Sequence, residues 1–351
     1  MQTRFSAKYL MLFVLLLLAT FLIASCAPAE VSTELAQQTS TEPIQKSELA
    51  TSTSPPQPTA ALAETQVEMP VEDAIRVVDG LGREVVLDVA AEKIISLAPS
   101  NTEILFAIGA GDQVIGRDEF SDYPADVVDL PSIGGGFGDY NLEAIVDLEP
   151  DLVLAAEINT PEQVKALSDL GLTVYLLANP TSLDEMYVNL LIVAELSGHF
   201  EEAEELVREL KERVAAVDEK VASAQEILST FYELDATDPS APWTAGAGTF
   251  IDTLITQAGG ENIASDLEGQ YLQLSIEEIL VRDPKIILLG DAAYGITPDS
   301  ITERSGWSNL DAVKNNRIYA FDDNLVSRPG PRLVDGLEQL VLLLHPELFS
   351  E

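Results

Sequence analysis

Cysteine and histidine are nearly absent from this chain, which has one cysteine and two histidines in 351 residues. Because Cys26 has no second thiol to pair with, the chain can form no internal disulfide and no thiolate metal site. A site for bare zinc or manganese normally includes two or three histidines, and here only His199 and His345 exist, far apart in the sequence. We therefore expect any metal that this protein handles to arrive inside a chelate.

Positive charge is also scarce. The chain has 19 lysines and arginines against 59 aspartates and glutamates, which gives a formal net charge of −40. Binding to phosphates requires a positive field, so nucleic acid is excluded as a partner. The acidity otherwise indicates only a soluble surface that does not bind other molecules indiscriminately.

The amino terminus has the pattern of an export signal. Arg4 and Lys8 precede an apolar run over residues 9–19, and Ile23-Ala24-Ser25-Cys26 matches the cleavage box of bacterial lipoproteins. The sequence therefore predicts a removable signal over residues 1–25 and a lipid on Cys26. A single spanning helix is the alternative, but the apolar run is short for one.

Residues 26–70 contain mainly Thr, Ser, Gln, Glu, Ala and Pro and almost no large apolar side chains. Such a segment cannot bury enough apolar surface to order itself, so it is predicted to be a disordered tether between the lipid and the folded part. An ordered extension is the alternative.

About 280 residues remain, more than one typical domain, and two halves can be distinguished over residues 71–198 and 226–351. Each alternates short β-branched runs with capped amphipathic segments. Ser100-Asn101-Thr102-Glu103 predicts a capping box at a helix start. Thr160-Pro161-Glu162-Gln163 predicts a second one, with Thr160 as the N-cap, a proline at the first helical position and Gln163 as the box glutamine. Strand, helix and strand at this spacing indicate parallel βαβ units and an α/β fold.

A weak internal repeat relates the two halves. Residues 141–154 recur as residues 275–288, with a capping side chain at Asn141 or Ser275, a glutamate two positions later and a proline before the next apolar run. The repeat predicts two lobes of the same construction.

A charged segment without glycine or proline lies between the halves, within residues 199–225. Its apolar residues recur at intervals of four and three: Leu206, Leu210, Val214, Val217 and Val221. A helix of about 24 residues would be roughly 36 Å long, enough to connect two lobes. A coiled-coil seam is the alternative.

Several segments together resemble the iron-siderophore, haem and cobalamin binding proteins of ABC importers. The resemblance runs from about Val77 to Phe349, and its segments are 94–103, 109–116, Ser121-Asp122-Tyr123-Pro124, 131–135, 141–146, 150–154, Arg328-Pro329-Gly330-Pro331-Arg332 and 345–349. Ser121-Asp122-Tyr123-Pro124 is most similar to the cobalamin branch. The resemblance implies two Rossmann-like lobes with parallel sheets joined by one long rigid helix, with a metal chelate bound between them.

The same resemblance implies a monomer without a resident cofactor. Its partners would be a membrane permease and, through it, an ATPase, and only the lipid anchor would touch the membrane. Glu143 matches an acidic position that engages arginines of the permease in this family, and Asp322 or Asp323 would serve in the second half. Alternatively, Glu143 only stabilises the first turn of its helix through the helix dipole.

In proteins with parallel α/β sheets, ligands bind at the loops that follow the carboxyl ends of the strands. Those loops carry the candidate ligand-binding residues Phe120, Tyr123, Phe137, Tyr140, Tyr232, Trp243 and Arg328. Aromatic rings and hydrogen-bond donors suit a wide, flat corrinoid, although each ring could instead pack in a core. The glycine-rich segment over residues 134–138 lacks the lysine of a phosphate loop, and we expect it to let the backbone approach a bulky ligand.

Other cargoes and functions stay open. The cobalamin branch has tryptophans where Ala156-Glu157 and Leu325-Val326 stand here. Anionic siderophores would need the cations Arg117, Arg328 and Arg332 in the cleft, and haem would need Tyr140 as an axial ligand. No nucleophile, base and orienting residue form a recognisable hydrolase motif, which leaves an exported metal hydrolase or a surface sensor as remote alternatives.

Overall fold

The computed structural model describes residues 74–136 and 138–349. All of them belong to one compact unit, Val67–Glu351. The predicted signal, the tether with Cys26, and Phe137 lie outside the described residues, and the predictions made for them stay predictions.

The first lobe is built around a four-stranded parallel sheet, preceded by an antiparallel ribbon of β1 (Ile75–Val78) and β2 (Glu84–Leu87). The strand order in the sheet is β4-β3-β5-β6. Its strands are β3 (Ile94–Ser96), β4 (Val114–Arg117), β5 (Leu152–Ala156) and β6 (Val174–Leu177). The helices of this lobe are α1 (Pro99–Ala107), α2 (Leu142–Asp147), α3 (Pro161–Asp169) and α4 (Leu183–Ser197).

The predicted connecting helix is present as α5, Phe200–Val221. At 1.5 Å per residue its length is about 33 Å. One face is buried, although the stripe begins earlier than predicted and includes Ala203 and Val207 together with Leu210 and Val217.

The second lobe repeats the architecture of the first. Its parallel sheet has the order β9-β7-β11-β12, and β8 pairs with β10 as an antiparallel ribbon. The strands are β7 (Leu228–Glu233), β8 (Trp243–Ala245), β9 (Gly260–Asn262), β10 (Tyr271–Gln273), β11 (Ile286–Leu289) and β12 (Ile318–Ala320). The helices are α6 (Phe250–Gln257), α7 (Ile276–Arg282), α8 (Pro298–Thr302), α9 (Asp311–Lys314), α10 (Asn324–Ser327) and α11 (Leu333–Leu344).

The internal repeat predicted from the sequence is confirmed at the level of topology. In both sheets the first strand lies between the second and the third, and the fourth forms the far edge. A short helix precedes the third strand in each lobe, and Asn141 and Ser275 cap these helices by accepting the N–H groups of Ala144 and Glu278, both over 3.1 Å. The two lobes therefore present equivalent helix starts.

Helix α5 packs against α4 of the first lobe and α11 of the second. Arg213 on α5 donates to Asp335 and Glu338 on α11, each over 2.6 Å. One apolar cluster includes buried residues of both lobes and of α5. Because this packing is continuous, only modest closure between the lobes is expected.

One of the two predicted capping boxes is wrong. Thr160 and Gln163 form the reciprocal box of α3, as predicted. Helix α1 instead begins at Pro99, its N-cap is Ala98, and no side chain caps it. Proline at the first helical position has the required φ angle and lacks only an N–H that would be unpaired there. Ser100 and Glu103 therefore lie within the first turns of α1, where both are buried.

Candidate ligand-binding cleft

Two arginines of the second lobe meet one glutamate of the first. Arg332 donates through Nε to Oε2 of Glu103 over 2.8 Å, and Arg328 donates through Nη1 to Oε1 of Glu103 over 3.0 Å. The Glu103 side chain is only 1% exposed. A buried carboxylate requires such partners, because removing its charge from water without compensation costs several kcal/mol, on the order of 3 to 5 when one partner is lost. Glu103 therefore joins the two lobes through a buried ion pair.

Arg328 also reaches the loop that follows β4. Its Nη1 donates to Oδ1 of Asp122 over 2.6 Å, and its Nη2 lies 3.5 Å from the backbone oxygen of Phe120. The loops at the carboxyl ends of the two sheets thus meet at this arginine. The guanidinium of Arg328, which was predicted to bind a ligand, is paired with two carboxylates, and its ligand-binding role stays a prediction.

A chain of buried hydroxyl groups fixes the loop after β4. Thr102 is hydrogen-bonded to both Ser96 and Ser121 over 2.8 Å, and Ser121 donates to Asp118. Burial raises the pKa of Asp118, although the hydrogen bond from Ser121 acts in the opposite direction. The backbone N–H of Phe120 donates to Asp118 over 2.8 Å, so this network sets the position of the loop that carries the first aromatic side chains.

The first-lobe face of the cleft exposes two of the predicted aromatic residues. Phe120 is 39% exposed and Tyr123 is 47% exposed. The guanidinium of Arg332 lies 4.1 Å from the centre of the Tyr123 ring. This cation–π contact holds the ring in place, so Tyr123 connects the aromatic face to the buried glutamate that joins the lobes.

Tyr140 is held by its own hydroxyl group. The hydroxyl donates to the backbone oxygen of Leu97 over 2.9 Å and accepts from Nδ2 of Asn159 over 2.6 Å. Burial raises the pKa of the Tyr140 phenol, the hydrogen bond from Asn159 lowers it, and the charge of Asp118 raises it further. The side chain is half-buried, so only part of its ring can face a ligand.

The glycine-rich segment after β4 accommodates this tyrosine. A Cβ atom on Gly135 would lie 1.9 Å from the Tyr140 ring, and the φ angle of Gly135 is +85°. Gly134 pairs with Tyr140 in an antiparallel bridge. The expectation that this segment approaches a bulky ligand is therefore corrected at Gly135, whose close approach is to a side chain of the same lobe.

The second-lobe face carries an aromatic pair on the ribbon of β8 and β10. Trp243 lies opposite Gln273, and Tyr271 lies opposite Ala245, so the two rings project diagonally from the same face of the ribbon. Trp243 is 43% exposed and Tyr271 is 60% exposed. Tyr271 was missed by the sequence analysis, because its strand has only three residues and lacks a clear apolar alternation.

Tyr232 is not a cleft residue, contrary to the prediction. Its side chain is completely buried, and its hydroxyl donates to Oδ1 of Asp323 over 2.8 Å. A Cβ atom on Gly290 would lie 2.7 Å from the Tyr232 ring, so glycine is needed there to admit the ring. Burial and the charge of Asp323 raise the Tyr232 pKa well above its ordinary value.

A cavity of about 480 Å³ opens where β7 and β11 end. It is bordered by three carboxylates and by a highly exposed aromatic ring: Asp235, Asp291, Asp323 and Tyr294. Trp243 adjoins this cavity through the backbone, since its N–H donates to the oxygen of Asp235 over 2.7 Å. The second-lobe half of the cleft therefore combines aromatic surface with hydrogen-bond acceptors.

Asp291 is the most unusual group in this cavity. It is 4% exposed, its Oδ2 accepts the N–H of Ala236 over 3.1 Å, and its Oδ1 has no hydrogen-bond partner among the described residues. Burial raises the Asp291 pKa to about 6, and the charge of Glu233 contributes. Glu233 itself is neutralised by Arg304, whose Nη2 donates to it over 2.7 Å.

The predicted docking carboxylates lie in different settings. Glu143 is exposed in the first turn of α2, and Glu277 occupies the equivalent position on α7. Asp322 is exposed and accepts from Asn324, whereas Asp323 is half-buried and borders the cavity. Asp323 therefore borders the second-lobe cavity, its docking role stays a prediction, and the repeat makes Glu277 the structural counterpart of Glu143.

Among residues 74–136 and 138–349, no three His, Cys, Asp or Glu side chains are grouped so that they could hold a metal ion. In the same residues, no helix is long and apolar enough to cross a membrane. Both histidines lie at helix ends, His199 as the N-cap of α5 and His345 as the C-cap of α11.

Comparison with known proteins agrees with this architecture. An uncharacterized ABC transporter substrate-binding lipoprotein of Bacillus subtilis is 33% identical over 278 residues, covering 78% of this chain and 86% of that protein. A vitamin B12-binding protein of Vibrio cholerae is 33% identical over 255 residues, which cover 72% of this chain and 89% of that protein. The solved periplasmic heme-binding protein of Roseiflexus sp. RS-1 is 28% identical, with a TM-score of 0.66 over 74% of this chain and all of that one.

A family model described as periplasmic binding protein matches residues 94–325, well over half of the chain. These residues contain both parallel sheets and the helix that connects them. Members of this family act outside the cytoplasm and bind solutes. The two-lobed chain with its interlobe arginines and aromatic cleft faces belongs to the periplasmic binding protein family.

Proposed function

We propose that this chain is the solute receptor of an ABC importer and that its cargo is an uncharged, amide-rimmed metal chelate of the cobalamin class. The vitamin B12-binding relative and the ABC transporter lipoprotein support this assignment. The solute enters the cleft between the lobes, and the loaded receptor delivers it to a membrane permease that an ATPase drives.

The observation that carries the proposal is the charge distribution in the cleft. Arg328 and Arg332 are paired with Glu103, and Arg117 donates to backbone oxygens, including that of Val127 over 2.9 Å. Two of these three cations are paired with carboxylates, the N–H groups of Arg117 are directed at backbone oxygens, and the opposite face presents carboxylates. A chelate whose rim carries N–H donors fits this field, whereas one with carboxylates or catecholates is repelled.

The aromatic side chains suit the faces of a corrin ring. Trp243 and Tyr271 offer adjacent, partly exposed rings on one side, and Phe120 offers a ring on the other. Large flat ligands are bound by such rings together with a few placed polar groups. Tyr271 supplies aromatic surface in a chain that lacks two tryptophans of the cobalamin branch.

Haem is the second candidate cargo, because a heme-binding protein is among the structural relatives. The environment of Tyr140 argues against it. Axial ligation by a phenolate needs a free, ionised hydroxyl, but this hydroxyl is held by Leu97 and Asn159, and its pKa is raised. The two propionates of haem would also meet the carboxylates of the second lobe.

A ligand panel tests the cargo class. The purified chain is heated with cyanocobalamin, cobinamide, haemin, a neutral ferric hydroxamate or an anionic ferric catecholate, and its unfolding midpoint is recorded. A ligand at 100 times its dissociation constant adds about 2.7 kcal/mol of stability, so a corrinoid should raise the midpoint by several degrees. A rise with haemin or the catecholate but not with either corrinoid would overturn the proposal.

The delivery step is assigned to the membrane-facing ends of the lobes. Cys26 carries the lipid anchor, and the receptor acts as a monomer. Glu143 and Glu277 start equivalent helices and are both exposed, so each lobe offers one carboxylate to arginines of a permease. Charges of this kind govern orientation and on-rate.

A charge reversal tests docking separately from binding. Glu143→Arg should abolish uptake of the chelate in cells and leave its affinity in solution unchanged. Asp147→Arg, on the same helix, is the matched control and should support uptake. Loss of ligand binding by the Glu143 variant, or normal uptake, would remove Glu143 from the docking surface.

A further inference from the structure

The ring of Tyr123 in the first lobe is packed against a cation of the second lobe. The guanidinium of Arg332 lies 4.1 Å from the centre of the Tyr123 ring. Tyr123 is nevertheless 47% exposed, so part of the ring is open to a ligand. A cation over an aromatic face is attracted by the ring and holds its orientation. The orientation of an exposed ring in one lobe therefore depends on a side chain of the other.

Arg332 is itself held in one orientation. Its Nε donates to Oε2 of Glu103 over 2.8 Å, and its Nη2 donates to Oε1 of the same carboxylate. Both side chains are largely buried. Two hydrogen bonds to one carboxylate fix the plane of a guanidinium. Glu103 and Arg332 thus form a rigid support for the Tyr123 ring.

The second lobe contains the same three kinds of group inside its core. Arg304 donates through Nη2 to the buried Glu233 over 2.7 Å, and its guanidinium lies 4.7 Å from the centre of the Trp307 ring. This ring is completely buried in an apolar cluster of the second lobe, and all three residues belong to that lobe. At Tyr123, by contrast, the ring is exposed and the cation comes from the opposite lobe. Support of a core therefore does not account for the arrangement at Tyr123.

We infer that Arg332 is a positioning residue for ligand binding, which holds the Tyr123 ring in the orientation that contacts the bound chelate. The inference rests on the proposed function, because it takes the exposed part of this ring as a contact for the cobalamin-class cargo. A side chain that is ordered before binding has no further freedom of motion to lose when the ligand arrives. The second lobe thereby contributes to a contact that the ligand makes with the first.

A double-variant cycle on ligand affinity tests this assignment. Arg332→Lys keeps the positive charge but loses the flat guanidinium that stacks on the ring and pairs with Glu103. Tyr123→Leu removes the ring. Cyanocobalamin is titrated calorimetrically into the wild type, the two single variants and the double variant, after circular dichroism has shown that each is folded. Arg332→Gln, whose amide still donates to Glu103, repeats the cycle if the lysine variant does not fold.

Arg304→Lys is the matched control, because it makes the same substitution between a buried glutamate and an aromatic ring that is not exposed. It should destabilise the free protein in the same way, since it also disrupts a bidentate pair and a cation–π contact. Its affinity for cyanocobalamin should stay within about twofold of the wild type, as expected for a site that is independent of the ligand contacts.

In the wild-type background, Arg332→Lys should weaken cyanocobalamin binding by about 3- to 10-fold, which corresponds to the cost of ordering one side chain on binding. In the Tyr123→Leu background, the same substitution should weaken binding by less than about twofold, because no ring is left to position. A residue that only joins the lobes would weaken binding by the same factor in both backgrounds.

Four results would overturn the inference. Equal factors in the two backgrounds would show that Arg332 does not act through the ring, and an equal loss in Arg304→Lys would show a general effect of destabilisation. Unchanged affinity in Tyr123→Leu would show that the ring is not a ligand contact, while the cobalamin-class assignment would stand. If the wild type binds no corrinoid at all, the proposed cargo is wrong, and the role of Arg332 in binding it is overturned with it.

Discussion

The Arg332 guanidinium of the second lobe forms two hydrogen bonds with the Glu103 carboxylate of the first, with Nε donating to Oε2 over 2.8 Å and Nη2 donating to Oε1. The two residues are 229 positions apart in the chain. Arg328 adds a third hydrogen bond to the same carboxylate. This contact between the lobes therefore depends on one buried acid that both arginines share.

Glu103→Gln should destabilise the protein by about 3 to 5 kcal/mol, because two largely buried arginines lose their charged partner. Denaturant unfolding measures this change. Asp122→Asn is the matched control, since Asp122 pairs with Arg328 but its side chain is 59% exposed. Its loss should cost about 1 kcal/mol or less. Equal costs for the two variants would show that the Glu103 bridge contributes no more than a surface ion pair.

Gly135→Ala should destabilise the first lobe more than the same change at another glycine with the same backbone angle. Gly135 and Gly171 both have φ of +85°, but a Cβ atom meets the Tyr140 ring only at Gly135. Gly171→Ala should cost about 1 kcal/mol from the backbone alone. Gly135→Ala should cost at least about 1 kcal/mol more from the clash, as measured by thermal unfolding.

A double variant checks the cause of that difference. Combining Gly135→Ala with Tyr140→Ala should remove the clash between the new Cβ atom and the ring. The loss of unfolding free energy in the double variant should therefore be smaller than the sum of the losses in the two single variants. Full additivity would mean that the Tyr140 ring does not need the space that glycine provides.

Trp243→Ala should weaken binding of cyanocobalamin by about 1 to 3 kcal/mol through lost stacking and burial. The unfolding midpoint of the free protein should stay nearly unchanged, because the ring is already 43% exposed. Calorimetric titration measures the affinity. Phe200→Ala is the control, since this ring is 46% exposed on the connecting helix. Unchanged affinity after loss of Trp243 would place the ligand away from the β8 and β10 ribbon.

Asp291 should make the free protein less stable as pH rises. Its pKa is about 6 in the folded chain and about 3.9 in an unfolded chain. The unfolded chain therefore releases this proton first, and folding stability falls by up to about 3 kcal/mol between pH 4 and pH 6 because of this group. Glu233 raises the pKa, and Arg304 partly opposes it.

The Asp291→Asn variant isolates this contribution. The unfolding free energy of the variant minus that of the wild type should increase by about 2 to 3 kcal/mol as the pH rises from 4 to 7. Urea unfolding at both pH values measures the change, and Asp238→Asn, at an exposed carboxylate in the nearby turn, should show no such increase. A variant that loses stability at pH 7 would mean that the Asp291 carboxylate is needed for the fold. A more stable variant that binds ligand less well would indicate a residue kept for function.

Local sequence patterns were sufficient to predict most of the architecture. The stripe of α5, the box at Thr160 and the caps at Asn141 and Ser275 depend on residues within a few positions of each other, so periodicity and capping rules identify them. The internal repeat also predicted that the two lobes share one construction, and the matching strand orders confirm it.

The site was harder to predict because its contacts join distant parts of the chain. Glu103 fitted a local capping box, but its partners Arg328 and Arg332 come from the other lobe. The sequence around Tyr232 is compatible with a cleft residue and with a core residue. Only the packing of its ring against Gly290 shows that the ring is buried. An unpartnered buried acceptor such as Oδ1 of Asp291 has no sequence signal, since its lack of a partner among the described residues is a property of the folded lobe.

Equilibrium titration of the purified chain with cyanocobalamin and with haemin tests the central claim most directly. The account predicts one corrinoid per chain with a dissociation constant below about 1 μM, equivalent to about −8 kcal/mol, and haemin binding at least about 100-fold weaker because its carboxylates meet those of the second lobe. Haemin bound more tightly than cyanocobalamin, or no corrinoid bound at all, would contradict it.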